Sequence, residues 1–390
     1  MKRQIKAFSA SIDSELIKFA QDMVRIKSYT GREGELVRFI KDKMTELGYD
    51  DVIVDKLGNV FGVVGNGPTK VLFDSHVDTV EVNDAHEWKI GPFNGSIVDG
   101  NLYGRGSVDM KSGVAAAVYA GHAIKALGLD EGKTIYISTS IMEEDYDGEP
   151  VHYLCDNNGI KPDFAIICEP SSLNLALGHK GRALLKVNLE GLSAHGSAPE
   201  KGVNAVYKMN KIVERVEKLG QQLMAIEGEK GSLALTKIES EAVSLNAIPD
   251  KCSIYLDRRL IIGEDEAVLS GEMEELLAGT DATWEVFDVI GKSWTGEELL
   301  LHSFLPAWEI GREHKLTKAC VSAFEALNGH EPNMMKWDFC TNGVATAKRG
   351  IPTIGIGPGY EKLAHSRDEN CPVSEIVSAF EFYTNLMNFL

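Results

Sequence analysis

The chain has 390 residues, of which 44% are hydrophobic and 25% are charged, as expected for a folded protein of two or more domains. Its 58 acidic and 40 basic side chains give a formal net charge of -18, which disfavours binding to nucleic acid or to anionic membrane surfaces. Residues 1–23 carry no apolar core of signal-peptide type, and the apolar run 114–126 is too short to span a bilayer. The six dispersed cysteines form no CxxC pair, so we expect free thiols in a cytoplasmic protein.

The first 170 residues alternate between helix-like and strand-like apolar patterns. Apolar residues recur at helical spacing in four segments, which are 10–27, 32–47, 111–127 and 149–158. Short apolar runs between these helices predict strands over 52–54, 60–64, 70–77 and 164–168 and in the run TIYISTSIMEED. Strands that are buried on both faces and separated by helices are typical of a largely parallel α/β sheet.

The predicted strand over 70–77 ends in a histidine and a carboxylate two residues apart, His76 and Asp78. Residues i and i+2 of an extended chain share a face, so both side chains can point into one site. A neutral imidazole is the commonest metal ligand in proteins, and a nearby carboxylate usually fixes its tautomer. Taken alone, a histidine at the end of a strand is more often structural, so the remaining chain decides between the two interpretations.

Further acidic residues follow the neighbouring predicted elements. Asp109 precedes an Ala/Val-rich helix, where the alternative is a simple helix cap. Glu143 and Glu144 end the run TIYISTSIMEED, and Glu169 follows the next strand. In open α/β sheets the ligand crevice lies beyond the carboxyl ends of the strands. We therefore expect these carboxylates and the histidine to converge on one metal-binding crevice.

The pattern changes after residue 180. The order β-α-β-β-α-β over 181–290 is typical of a ferredoxin-like insertion. The later predicted elements are helices over 313–328 and 373–389 and a strand over 351–356. We therefore expect residues 1–180 and 295–390 to form one α/β domain, and residues 181–294 to form an inserted domain, called the lid below.

Seven segments together resemble one known family of enzymes. They are SHVDTV, YGRGSVDMKSG, EEDYDGEP, ICEP, GLSAHGSAPEKGVNA, LNAIPD and the late GPG and AHS. The family is that of the di-zinc amidohydrolases and metallopeptidases, which includes aminoacylase, acetylornithine deacetylase, succinyl-diaminopimelate desuccinylase and glutamate carboxypeptidase. Thr341-Asn342-Gly343 stands where many relatives have Gly-Thr-Asp or Gly-Ser-Asp, and it is most similar to a selenium-metabolism-associated branch of hydrolases.

The resemblance implies a zinc-exopeptidase-like fold, with a mostly parallel sheet, helices on both faces and an inserted ferredoxin-like α+β dimerisation domain. It also implies two divalent metal ions, with Zn²⁺ as first choice and Co²⁺ or Mn²⁺ as alternatives. One ion would be held by His76, Asp109 and Glu169, and the other by Asp109, Glu144 and His365. In this scheme Asp109 and a water bridge the ions, Asp78 orients His76, and Glu143 is the general base that activates the water.

Three residues of the lid have implied roles as well. His195 would reach the active site of the partner subunit of a homodimer formed through the lid, and would stabilise the tetrahedral oxyanion. Arg259 would bind a substrate carboxylate through its guanidinium fork, although the adjacent Arg258 is a competing candidate, since side chains alternate along a strand. Asn246 would contact the reacting carbonyl.

We expect from these features a metal-dependent hydrolase of a linear amide bond, and our first choice of reaction is removal of the acyl group of an N-acyl amino acid. One alternative is a dipeptidase or carboxypeptidase with the same metal site. Another is a non-catalytic binding protein descended from such an enzyme. The presence of Glu143 argues against the latter, because a binding protein needs no general base.

Overall fold

The computed structural model describes all 390 residues, Met1–Leu390. The helices are α1 (Lys2–Arg25), α2 (Gly34–Glu46), α3 (Ser112–Ala126), α4 (Glu143–Tyr146), α5 (Glu149–Asn157), α6 (Ala205–Met224), α7 (Glu266–Leu277), α8 (Lys315–Asn328), α9 (Gly343–Lys348) and α10 (Val373–Leu386). The first ten strands are β1 (Asp51–Val54), β2 (Val60–Gly65), β3 (Thr69–His76), β4 (Ser96–Val98), β5 (Asn101–Tyr103), β6 (Lys133–Ser140), β7 (Phe164–Ile167), β8 (Leu175–His179), β9 (Gly181–Glu190) and β10 (Ser232–Glu241). The others are β11 (Lys251–Leu260), β12 (Thr283–Val286), β13 (Asp288–Lys292), β14 (Glu298–His302), β15 (Phe304–Leu305), β16 (Trp308–Glu309), β17 (Met334–Trp337), β18 (Thr353–Gly355) and β19 (Asn370–Pro372).

The central sheet has the strand order β1-β2-β6-β3-β7-β18-β8-β16, and β17 pairs with β8. Its four middle strands, β6, β3, β7 and β18, are mutually parallel, and antiparallel strands flank them. Their carboxyl ends therefore lie at the same edge of the sheet. This arrangement confirms the predicted α/β class with a mostly parallel sheet.

Helices cover both faces of this sheet, as predicted. Val71 and Phe73 of β3 are fully buried in the large core that includes α1, α3 and α10. Leu72, which points to the opposite face, belongs to a smaller core with α5 residues such as Val151 and Leu154. The side chains on both faces of β3 are thus apolar, because helices cover each face of the sheet. No helix is both long enough and apolar enough to cross a membrane.

The lid has its own sheet, with the order β10-β11-β9-β12 and antiparallel pairing throughout. The helices α6 and α7 lie between these strands in the chain, and their apolar side chains share a second core with the sheet. The Asn204 side chain caps α6 and the Asp265 side chain caps α7, each by accepting two backbone N–H groups. This topology confirms the ferredoxin-like insertion.

A hairpin that the sequence patterns did not predict connects the lid to the larger domain. β13 and β14 pair with each other rather than with the lid sheet. Trp294, at the tip of this hairpin, donates its Nε1–H to the Gly58 carbonyl oxygen at 3.1 Å. A Cβ on Gly34 or Gly58 would come within 2.7 or 2.3 Å of the Trp294 ring, so only glycine fits at either position. The chain leaves the central sheet after His179, at the end of β8, and returns to it at Trp308, in β16. The division of the domains at residues 180 and 294 stays a prediction.

Candidate metal centre

His76 lies at the carboxyl end of β3 and is buried between two aspartates. Its Nδ1 is 3.1 Å from the Asp78 carbonyl oxygen and 3.4 Å from Asp78 Oδ1. Its Nε2 is 2.8 Å from Asp109 Oδ1. The imidazole is thus held from behind by Asp78, and its other nitrogen faces the crevice.

Asp109 lies in the turn Ser107–Lys111 before α3, and its two carboxylate oxygens face different histidines. Oδ1 faces His76, and Oδ2 is 3.1 Å from His365 Nε2. Burial disfavours the charged carboxylate, but the hydrogen bonds to His365 and His76 outweigh burial and lower the pKa of Asp109. Each oxygen of this carboxylate faces a different imidazole, which is the orientation that a carboxylate bridging two cations needs.

Three glutamates complete the cluster. Glu144 Oε2 is 2.8 Å from His365 Nε2, and Glu169 Oε1 is 3.5 Å from His76 Nε2. Glu143 Oε2 is 3.9 Å from the same His76 nitrogen. The Asp78 carboxylate accepts the backbone N–H groups of Glu143 and Glu144 at 2.9 and 3.1 Å. Asp78 therefore positions the acidic pair as well as the histidine.

The residues fit a pair of divalent cations. Two groups of side chains have their ligand atoms within 4.8 Å of one another. One group is His76, Glu143 and Glu169, and the other is His76, Asp109 and Glu144. Burial raises the pKa of Glu143 and of Glu169 well above the usual value, because the protein supplies too little positive charge to balance them. Glu143 Oε1 is buried and has no hydrogen-bond partner. Carboxylate and imidazole donors suit zinc, and cations would supply the missing charge.

The metal-free protein should lose stability as the pH rises. Burial and the nearby Asp109 carboxylate raise the pKa of Glu144 from 4.5 to about 7. Between about pH 4.5 and about pH 7 this group therefore binds more protons in the folded chain than in the unfolded chain, and its contribution to the free energy of unfolding falls as the pH rises. Hydrogen bonds to Asp109 and Glu144 raise the pKa of His365 from 6.5 to about 10, so the fall continues above neutral pH. Thermal unfolding in a chelator from about pH 5 to about pH 9 tests this expectation, and a constant or rising melting temperature would contradict it.

The cluster opens into a cavity of about 330 Å³. Residues that line it beyond the cluster include Asp147, Arg182, Arg259, Cys340 and Glu361. Arg182 of β9 and Arg259 of β11 are directly paired in the lid sheet, and both line the cavity. Arg182 is 2.5 Å from Asp147, and Arg259 is held by both carboxylate oxygens of Asp257 at 2.8 and 3.1 Å. Burial raises the pKa of the Cys340 thiol, which keeps it protonated.

The structure separates the two adjacent arginines of β11. Arg259 lines the cavity. Arg258 is buried on the opposite face of the strand, where it forms ion pairs with Glu264 and Glu272 at 2.7 and 3.0 Å. The alternation expected along a strand thus places Arg259, and not Arg258, next to the candidate centre.

His195 and Asn246 lie together on the lid and do not line the cavity of their own chain. Both residues are exposed. The Gly196 N–H donates to the Asn246 carbonyl oxygen at 2.6 Å, and Ser197 Oγ is 2.7 Å from His195 Nδ1. The structure therefore pairs the backbone segments of these two residues, and neither residue lines the cavity of its own chain.

Several residues of the cavity are not among those predicted from the sequence. Asp147 stands three positions after Glu144 in the run EEDYDGEP, so the acidic run itself was an available signal. Arg182 is the second residue of β9, and Glu361 stands four positions before His365. Neither of these positions has a local pattern that identifies it.

A model of peptidase family M20/M25/M40 matches residues 72–388 of the chain. The chain is 36% identical over 377 residues to the uncharacterized protein YgeY of Escherichia coli (strain K12), covering 95% of this chain and 93% of that protein. It is also 29% identical over 317 residues to acetylornithine deacetylase of Erwinia tasmaniensis, covering 80% of this chain and 78% of that protein.

Solved structures show the same fold at low sequence identity. A tripeptidase of Staphylococcus aureus subsp. aureus Mu50 has a TM-score of 0.74 and 21% identity, and the match covers 96% of this chain and 99% of that chain. YXEP of Bacillus subtilis, described as a dinuclear metal-binding peptidase, has a TM-score of 0.69 and 13% identity over 97% of this chain and 98% of that chain. Both likenesses extend over the lid as well as the larger domain.

Proposed function

The chain belongs to peptidase family M20/M25/M40, as its resemblance indicated, and on that premise we propose that it is a di-zinc hydrolase that deacylates an N-acyl amino acid. The observation that carries the metal assignment is Asp109, whose two oxygens face His76 and His365 from opposite sides. The similarity to acetylornithine deacetylase supports the deacylase assignment. The assignment to a selenium-associated branch stays a prediction.

The ligands of one cation would be His76, Asp109 and Glu169, and those of the other Asp109, Glu144 and His365. Zinc is the first choice for these donors, with cobalt or manganese as alternatives. Cations bound there would lower the pKa of a coordinated water to about 7 and polarise the scissile carbonyl.

Glu143 would carry the proton in this reaction. Its buried Oε1 has no hydrogen-bond partner, so that oxygen is free to accept a proton from the attacking water. As the C–O bond forms and the C–N bond breaks, the same carboxyl group would donate that proton to the leaving nitrogen. Asp78 would keep Glu143 in place, since it accepts the Glu143 backbone N–H at 2.9 Å.

Arg259 would bind the carboxylate of the amino-acid product half. Asp257 holds its guanidinium in a fixed orientation, and Arg182 lies directly opposite in the next strand. Arg259→Ala should raise KM by about 10-fold or more and change kcat by less than about threefold, because a lost charge-assisted hydrogen bond is worth about 1.5–3 kcal/mol of binding. Steady-state kinetics with a carboxylate substrate and its amide analogue tests this role.

The control for that measurement is Arg312→Ala, which removes an exposed arginine outside the cavity. It should leave both constants unchanged. An equal rise of KM for the carboxylate and amide substrates in Arg259→Ala would remove Arg259 from the proposed role.

We also propose that the protein is a homodimer in which His195 serves the partner's site. β10 is an edge strand of the lid sheet, paired with β11 on one side and with no strand on the other. Nearby apolar side chains of the lid, such as Tyr207, Met224 and Ile238, are more than half exposed. Such a surface suits pairing with a second copy. Lid closure would then exclude water from the cavity and complete the site. Asn246, next to His195, would reach the same carbonyl.

Mixing two inactive variants tests this arrangement. In a heterodimer of His195→Ala and Glu143→Ala chains, one site would combine an intact Glu143 with an intact His195 from the other chain. We therefore expect activity to reappear after the two variants are dissociated together and reassociated. Activity that stays at the level of the separate variants, with heterodimers present, would contradict the exchange.

A dipeptidase or carboxypeptidase is the second candidate function, and the structural likeness to a tripeptidase supports it. Parallel assays of N-acyl amino acids and of dipeptides on the zinc-loaded protein distinguish the two. We expect higher kcat/KM for the N-acyl amino acids. A preference for peptides would move the assignment to an exopeptidase with the same centre.

A cytoplasmic location is part of this proposal. It is supported by the six unpaired cysteines, all of which are buried. A reducing compartment keeps such thiols free.

A further inference from the structure

A buried carboxylate joins the turn of Asp109 to the loop of His365. Glu369 is fully buried and lies four residues after His365. Its Oε1 accepts the backbone N–H groups of Val108 and Asp109 at 2.8 and 3.1 Å, and its Oε2 accepts that of Gly106 at 3.2 Å. One side chain thus holds the backbone of the turn that presents Asp109.

Arg105, two residues before that turn, binds both Glu369 and the backbone of His365. Its Nη1 is 2.6 Å from Glu369 Oε2, and its Nη2 donates to the His365 carbonyl oxygen at 3.3 Å. The guanidinium group also lies over the Trp88 ring, 5.3 Å from its centroid. The side chains of Arg105 and Glu369 are 6% and 0% exposed, so these charge-assisted bonds are shielded from water and fix the geometry.

The ligands on the two sides of the centre are held by different parts of the fold. His76 ends β3 and Glu169 follows β7, and these strands are neighbours in the central sheet. His365 lies outside any helix or strand, and its side chain is 50% exposed. Its backbone has φ 59°, a left-handed conformation that a residue other than glycine keeps only where its surroundings hold it.

We infer that Glu369 and Arg105 are positioning residues that fix His365 relative to Asp109, and that they thereby set the affinity of the cation position shared by Glu144 and His365. This inference rests on the proposed two-metal function. The position between His76 and Glu169 should depend on the pair less. The sheet holds two of its three ligands, and only the shared ligand Asp109 is bonded to Glu369, through its backbone N–H. Loss of a group that orients a metal ligand typically weakens metal binding 10–100-fold.

Zinc titration of the metal-free protein against a chromophoric chelator tests the inference through two dissociation constants. In Glu369→Gln and in Arg105→Lys we expect one constant to rise about 10–100-fold and the other to change by less than about threefold. Glu144→Ala, which removes a ligand of one position only, identifies the constant that belongs to the His365 side. Arg349→Lys is the matched control, since Arg349 forms an ion pair with Asp156 at 2.6 Å outside the cavity, and both constants should stay unchanged.

Two results would overturn the inference. One is that both zinc dissociation constants stay unchanged in both variants, even if the melting temperature falls. That result would mean that the ion pair is purely structural. The other is an equal loss at both positions. If Glu369→Gln fails to fold by circular dichroism, Arg105→Lys, which keeps the positive charge beside Glu369, decides the outcome. A wild-type chain that binds no pair of zinc ions would refute the proposed function itself.

Discussion

Replacing Glu143 with alanine should reduce kcat by about 10²–10⁴-fold, close to loss of turnover, while zinc content stays near two per chain. The physical reason is that Glu143 would be the only group that both accepts the proton of the attacking water and returns it to the leaving nitrogen. The proposed zinc ligands remain in this variant. Metal analysis by mass spectrometry and single-turnover kinetics, measured on the same preparation, test the expectation.

Two further variants make this result specific. Glu144→Ala should instead lower the zinc content, because Glu144 Oε2 faces His365 on the side of the second position. Glu313→Ala, at an exposed surface glutamate, should change neither kcat nor zinc content. Retained activity in Glu143→Ala would remove Glu143 from its role, and loss of zinc in that variant would make it a ligand.

Removal of metal should have an effect of similar size. After dialysis against a strong chelator we expect hydrolysis to fall to the background rate and to return when zinc is restored. The melting temperature should follow, since free zinc at a hundred times its dissociation constant stabilises the folded state by about 2.7 kcal/mol for each site. Without metal, the buried acidic cluster destabilises the folded state. Burial raises the pKa of Glu143 and of Glu169 in this cluster well above the usual value.

This experiment also separates an enzyme from a binding protein. A chain that binds zinc tightly but hydrolyses none of the N-acyl amino acids or dipeptides would support the non-catalytic alternative. Full activity in protein shown by metal analysis to be zinc-free would contradict the metal-dependent mechanism. Cobalt and manganese, added in place of zinc, test the alternative ions.

The part of the site built on parallel strands could be predicted from local sequence. His76, Glu143 and Glu169 follow three strands that are adjacent and parallel, so their convergence follows from the rule that strand ends share one edge of the sheet. His365 was identified only by family resemblance, because it lies in a loop with no helical or strand periodicity.

Residues with long-range partners could not be predicted. Arg182 faces the cavity because it pairs with Arg259, 77 positions later, and this register exists only in the folded lid. Glu369 bonds to a turn about 260 positions earlier in the chain. A buried carboxylate of this kind has no local signature that distinguishes it from a surface glutamate.

The predicted and observed secondary structures differ mainly at short or amphipathic elements. α1 begins at Lys2 rather than at residue 10. Its first two turns give no clear apolar stripe, because three of their residues are basic and only Ile5 and Ser9 are buried. β8 was not predicted, since a five-residue strand next to glycine-rich sequence gives little periodicity. The last strand of the order predicted over 181–290 is followed at once by a second strand, β13, because the chain leaves the lid sheet after β12 to form the Trp294 hairpin.

The central claim is that Asp109 lies between two cations held by the surrounding histidines and glutamates. Anomalous diffraction from crystals of the zinc-loaded protein, measured at the zinc absorption edge, tests it most directly. We predict two peaks per chain, one beside His76 and Glu169 and one beside Glu144 and His365, with the Asp109 carboxylate between them. A single peak, or a pair of peaks that Asp109 does not join, would contradict the proposed centre.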